Sequence, residues 1–288
     1  MAQLSDSLLF VAVLVYAVAM LAFAADAASR RANRLLALSE HGVLVGAGGP
    51  SVEMSVPPPT HSGYAGTAAV ALTLLGWIAH VGSVVTRGLA VDRVPWGNMY
   101  EFSTAAALVA VTGFLVLVLR GRVETSLGAF VMLPVVLYLG LAGTVLYTKA
   151  GPLVPALNSY WIKIHVAAAA TASGAFLLSG VIALLYLLRD RFDARNDVGE
   201  PVRFPVWTFA IIAGAIWAEA AWGRYWGWDP KETWSFITWV LYAGYLHARA
   251  TAGWKGRKAA WVAVAAAGAL IIDYYVVNIF VVGLHSYA

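Results

Sequence analysis

Four histidines stand where an imidazole is costly unless it has work to do. His80, in "GWIAHVGS", and His247, in "LYAGYLHARA", fall within apolar runs. An ionisable side chain inside such a run marks a candidate functional site. His165, in "NSYWIKIHV", and His285, in "NIFVVGLHSYA", fall at the ends of two other runs. Two neutral imidazoles on opposite faces of a porphyrin iron make a bis-His haem site. The four histidines read as two such pairs: His80 with His247 toward mid-depth, and His165 with His285 at one end. A single histidine of this kind is also satisfied by hydrogen bonding within a helix bundle, and the pairing is what favours haem. Zinc is the weaker reading, because the chain has no cysteine and no short His motif.

The second concentration is "WGRYWGWDPKETWS", residues 222–235. Trp222, Trp226, Trp228 and Trp234 surround an Asp-Pro-Lys-Glu turn. An interfacial aromatic belt accounts for one or two tryptophans at a helix end. Four beside glycines and a turn read instead as a platform for a large, flat, apolar molecule. Asp229 followed by Pro230 and Glu232 reads as a helix start close to a capping box. Trp222 and Trp226, four apart, share a face if that stretch is helical. Arg224 and Lys231 are cations placed to meet ligand carboxylates, or to sit as solvated rim charges.

The elements that must position these residues are membrane helices. The 288 residues are 61% hydrophobic and 12% charged, whereas a soluble domain is nearer half apolar and a quarter charged. Eight apolar segments of about 20 residues lie near 6–28, 67–88, 98–119, 127–147, 160–188, 205–222, 235–253 and 259–283. The fold class is therefore all-α, a polytopic membrane bundle of about eight transmembrane helices forming one membrane domain over 1–288. The first segment lacks the positive n-region of a signal peptide, since "MAQLSDS" has no Lys or Arg, and reads as a retained helix. With the N-terminus outside, alternation places only Arg87, Arg93, Lys149, Lys163, Arg224 and Lys231 outside and the other thirteen of the 19 Lys and Arg inside. That bias favours both termini on the outer side and an external loop at 222–235. Residues 29–66 read as an inner linker, Gly- and Pro-rich over 43–63. Asp273 and Asn278 read as polar groups paired with neighbouring helices, and Glu101 as a helix-start charge. The net charge of +4 comes from short basic clusters between spans, so no nucleic-acid partner is expected.

Four stretches taken together, "PWGNMYEFS", "NSYWIKIHV", "WGRYWGWDPKETWSFITW" and "NIFVVGLHSY", resemble the CcsA (ResC) family. These are the tryptophan-rich WWD proteins of the system II cytochrome c synthase, labelled CcsB in some actinobacteria. The resemblance spans the second to eighth helices. It implies that His80 and His247 ligate a haem within the bilayer, and that His165 and His285 ligate a second, outward haem. It implies that the loop residues Trp222, Trp226, Trp228, Asp229 and Trp234 present that haem, as haem b, to an apocytochrome c carrying Cys-x-x-Cys-His. The cysteine thiols add to the vinyl groups as thioethers, so a chain without cysteine fits. Further implied are a ResB-type membrane partner, a thioredoxin-like thiol reductant, contact with membrane lipid, and a plasma (inner) membrane location with the loop extracytoplasmic. No nucleophile or base is implied in this chain. Two alternatives stay open: a haem exporter or chaperone without attachment activity, and a bis-His b-type electron-transfer subunit.

Overall fold

The computed structural model describes residues 1–42, 63–153, 155–189 and 200–285. Long helices dominate: α1 (Ala2–Gly42), α2 (Tyr64–Val91), α3 (Met99–Leu119), α4 (Gly128–Thr144), α5 (Tyr160–Arg189), α6 (Glu200–Trp222), α7 (Pro230–Ala250) and α8 (Arg257–Ile271). Beyond α8 the chain takes a π-helical turn, Ile272–Val277, and a last helical stretch, Asn278–Phe280. Seven of these helices are long and apolar enough to cross a membrane. The expected seventh span, α7, has the length but not the apolarity, because it carries Lys231, Glu232, His247 and Arg249 among its tryptophans and tyrosines.

Two boundaries differ from expectation. α1 continues helical from 29 to Gly42, through a stretch rich in Ala, Arg and Leu that favours helix. The expected linker is shorter by that much, and its remainder at 43–62 lies outside the described residues. α7 begins at Pro230, within the stretch read as loop, because the cap at Asp229 starts it.

Two packed groups form the bundle. α1 lies along α2 and α4, and α3 touches α2 and α4. Tyr16, Phe23, Phe114, Met132 and Leu139 fill the core they share. Polar groups pin α1 to α2, as expected where lipid offers no hydrogen bonds. Ser5 Oγ donates to the Ser83 carbonyl (2.9 Å) and Ser83 Oγ to the Ser5 carbonyl (2.8 Å). In the second group α5 packs on α6 and α8, and α7 on α8 and α6. Its core holds Phe176, Trp207, Tyr242 and Leu270, with the rings of Phe176 and Tyr242 stacked 3.7 Å apart. α3 and α5 join the groups.

At the end of the bundle that carries the tryptophan loop, Glu101 is fully buried and acts as a hub. It accepts from Arg87 Nε (3.0 Å), from Arg93 Nη1 (2.7 Å) and from the Gly97 amide (2.8 Å). Arg93 also donates to the Gly151 carbonyl (3.3 Å). The helix-start cap itself comes from Asn98, whose side chain accepts from the Glu101 amide (2.9 Å). Glu101 therefore ties the end of α2, the α2–α3 loop and the α4–α5 loop into one wall, a larger role than a helix-start charge.

Candidate haem site

α6 stops at Trp222 because Gly223 turns into the left-handed region (φ +71) while its amide still bonds the Glu219 carbonyl (2.8 Å). A glycine takes that conformation freely at a helix end. Trp226 is therefore not on the helical face of Trp222. The loop then folds on itself: Gly227 N–H and Asp229 N–H both donate to Glu232 Oε2 (2.8 and 3.0 Å). The Arg224 guanidinium lies over Gly227, where a Cβ would have to push it aside. The capping box expected at Asp229 and Glu232 forms.

Asp229 does more than cap. Its Oδ1 accepts from the Lys231 amide (3.1 Å) and from His285 Nδ1 (2.9 Å), and its Oδ2 from the Leu284 amide (2.7 Å). The start of α7 is thereby bonded to residues 284–285. Gly283 makes this approach possible, since a Cβ there would lie 2.6 Å from Oδ2. Burial alone would raise the Asp229 carboxyl, but the bonds from His285, Leu284 and Lys231 outweigh it and hold it down at about 2. The stabilisation from these bonds is present above the ordinary carboxylate range and is lost as pH falls through about 2.

His165 and His285 line one cavity of about 170 Å³ between α3, α5, α6 and α7. His165 Nδ1 lies 2.8 Å from the Ala210 carbonyl. A carbonyl only accepts, so Nδ1 carries the proton; the Asp229 carboxylate fixes His285 in the same way. With Nδ1 so engaged, Nε2 is the nitrogen of each ring that could ligate a metal. Orientation by a hydrogen bond on the opposite nitrogen is what axial ligands require. Gly214 cradles the His165 ring, where a Cβ would meet Nδ1 at 2.7 Å. Trp217 contacts both rings: it stacks on His165 (6.1 Å, 12°) and stands edge-on to His285 (5.6 Å, 64°). Trp222 packs edge-on against both Trp217 and His285, at 4.7 Å each. Among the described residues no group of three or more His, Cys, Asp or Glu converges on a point. Two imidazoles with no third protein ligand suit an iron that already carries four nitrogens of its own.

The other residues singled out in the sequence are dispersed. Trp226 lines the cavity; Trp228 does not, and pairs edge-on with Trp226 at 5.7 Å and with Phe236 at 6.0 Å. Trp234 sits in the first turns of α7, off the cavity. Lys231 lines the cavity and Arg224 is exposed outside it. Sequence reading passed over Trp217, Trp96 and Trp207, which line the same space.

Trp228 is a bulky residue held at φ +56 with 64% of its surface exposed. Left-handed backbone costs such a residue about 1–3 kcal/mol unless something requires it. Trp228→Gly removes the strain along with the ring. Its thermal unfolding is therefore expected to stay within about 1 kcal/mol of the parent, while haem retention falls. A melt that collapses would make Trp228 a structural residue instead.

His80 and His247 are not brought together by direct helix packing. His80 is fully buried on α2 under α1, with the Tyr16 hydroxyl 3.4 Å from its Nδ1 and no hydrogen-bond partner for Nε2 among the described residues. His247 is exposed in the last turn of α7, which packs on α8 and α6. At about 1.5 Å per residue, His80 lies roughly 17 Å from the loop end of its helix and His247 roughly 25 Å from the loop end of its own. The expected match in depth does not hold, because α7 starts at Pro230 and its last turn carries His247 toward the far end.

With this geometry in view, the chain matches the family described as Cytochrome C assembly protein over residues 96–285. The span runs from the Glu101 wall to His285 and omits His80. It is similar to cytochrome c biogenesis protein CcsA of Heterosigma akashiwo, 33% identical over 248 residues that cover 67% of this chain and 76% of the relative. The CcsA of Parasynechococcus marenigrum is 37% identical over 179 residues, 48% of this chain and 59% of the relative. That of Gloeobacter violaceus is 29% identical over 296 residues, 77% and 86% respectively. The chain belongs to the CcsA family. As a CcsA-family protein it is a membrane protein of cytochrome c biogenesis, and the quoted stretches that resembled the family, from "PWGNMYEFS" to "NIFVVGLHSY", all lie within or across the matched span.

Proposed function

We propose that this CcsA-family chain carries haem b across the plasma membrane and presents it at the tryptophan-loop end for thioether attachment to apocytochrome c. It does so as one subunit of a holocytochrome c synthase with a ResB-type partner. A thioredoxin-like reductant keeps the apocytochrome thiols free, and the loop faces the extracytoplasmic side. The observation that carries the reading is the pair His165 and His285 on one cavity, each with Nδ1 hydrogen-bonded, which leaves Nε2 as the nitrogen to ligate iron.

The chemistry asks little of this chain beyond placement. A thiol adds across each vinyl group: sulfur bonds one carbon, the thiol hydrogen ends on the other, and no oxidant is consumed. His165 and His285 hold the iron. Trp217, Trp222 and Trp226 keep water off the ring faces, and Trp228 and Trp234 border the exposed side where the apocytochrome approaches. Asp229 orients His285, while Lys231 lines the cavity with its ammonium bonded to Asn278 and Arg224 stays at the loop surface. Placement of this kind lowers a barrier by converting an encounter into an intramolecular step. His80 and His247 take haem on its way from the far side; the unpartnered Nε2 of His80 is what supports a ligand role there.

The test is the visible spectrum of the detergent-purified protein, reduced and oxidised, with a pyridine haemochrome assay. Low-spin b-type bands are expected. His165→Ala and His285→Ala should each convert the outer haem to a high-spin spectrum that added imidazole restores. His80→Ala and His247→Ala should lower the total haem recovered. A colourless protein that also fails to take up added haem would sink the reading.

A further inference from the structure

The cavity is apolar, yet three cations from three elements reach it: Arg93 from the α2–α3 loop, Lys163 from α5 and Lys231 from α7. Two of them are already committed. Both terminal nitrogens of Arg93 donate to Glu101, at 2.7 and 3.3 Å, and to the carbonyls of Val94 and Gly151. Lys231 Nζ donates to Asn278 Oδ1 (2.9 Å) and lies 3.6 Å from Met99 Sδ, with the buried Asp273 lining the same cavity.

Lys163 is different. It is exposed at the cavity mouth and has no ion-pair partner among the described residues. It also sits in the first turn of α5, which begins at Tyr160. The unsatisfied amides of a helix N-terminus repel a cation there, so neither the helix nor a neighbouring carboxylate accounts for the lysine. It stands two residues before His165 on the same helix, about 3 Å nearer the mouth along the axis.

We propose that Lys163 is the contact for a carboxylate of the ligand held by His165, the group that fixes which edge of a flat macrocycle faces outward. The inference rests on the reading that the cavity takes haem. It names a cation that Arg224, exposed and off the cavity, cannot replace and that Lys231, already bonded to Asn278, does not duplicate. An ammonium meeting a carboxylate at the rim of an apolar cavity forms a charge-assisted hydrogen bond and adds selectivity for the acid over its ester.

The experiment titrates the full-length detergent-solubilised protein with iron protoporphyrin IX and, separately, with its dimethyl ester, following the Soret band and tryptophan quenching. Lys163→Gln should weaken the diacid about tenfold and leave the ester unchanged. Lys163→Arg should restore most of the diacid affinity, and the diacid's salt dependence should shrink in the Gln variant. Equal weakening of acid and ester, or no change in either, overturns the assignment of Lys163 while leaving the haem site intact. Failure of the parent protein to bind either macrocycle overturns the haem reading and this assignment with it.

Discussion

Asp229→Asn is expected to keep the fold and lose the ligand. Asparagine caps a helix about as well as aspartate, so α7 should still start at Pro230, with a loss of about 1 kcal/mol because the amide NH2 cannot accept from the Leu284 N–H. What disappears is the negative charge beside His285 Nδ1 and the strong acceptor for the Leu284 amide. Removing the group that orients and polarises a ligating imidazole typically costs 10–100-fold in affinity. Haem affinity at the proposed His165–His285 site, measured by Soret titration, should fall by about that factor, with a smaller loss in unfolding. Equal loss of stability and affinity would mean that Asp229 serves the loop and not the ligand.

Glu101→Leu should cost the fold first. Glu101 is 0% exposed and Arg87 only 3%. Removing the carboxylate leaves two guanidinium groups facing each other without their shared acceptor, and strands the Gly97 amide. Breaking a buried pair from one side costs about 3–5 kcal/mol. The variant is expected to express poorly and to unfold well below the parent in a detergent melt, with haem lost because the cavity wall is lost. Replacing Glu101, Arg87 and Arg93 together with apolar residues should recover part of that stability. A Glu101→Leu protein with a parental melt would show that the cluster is solvated.

The helices were legible because spanning runs are long and apolar, and seven of the eight stand out on that ground alone. α7 reads in sequence as an apolar segment at 235–253 with a start signal at Asp229, but it is less apolar than the other seven. The histidines and the tryptophan loop were legible as residue types out of place in lipid. What they touch was not. Tryptophans at 222, 226, 228 and 234 read as one surface in sequence, but Gly223 breaks the helix and sends them to different neighbours. Trp217 looks like any apolar helix residue until α5 brings His165 against it. The bond from Asp229 to His285 joins residues 56 apart, and no local pattern announces it. Lys163 read as one more charge in a topology count; only the cavity gives it a position.

The π-helical turn at Ile272–Val277 sets the phase of everything after it. A π turn bonds each residue to one five positions back and so takes in one residue more than an α turn. Each residue of an α-helix advances the face by about 100°. The last helical stretch, Asn278–Phe280, is therefore turned by roughly that angle relative to a continuous α8, which is how Asn278 comes to meet Lys231, and the non-helical residues 281–285 that bring His285 to Asp229 depart from that displaced end. In evolutionary terms the turn behaves as a single inserted residue. A sister chain with one residue fewer between 272 and 277 would keep a regular helix, an apolar profile and even its terminal histidine, yet that histidine would point elsewhere. For this fold, residue count along the last helix carries information that residue identity does not.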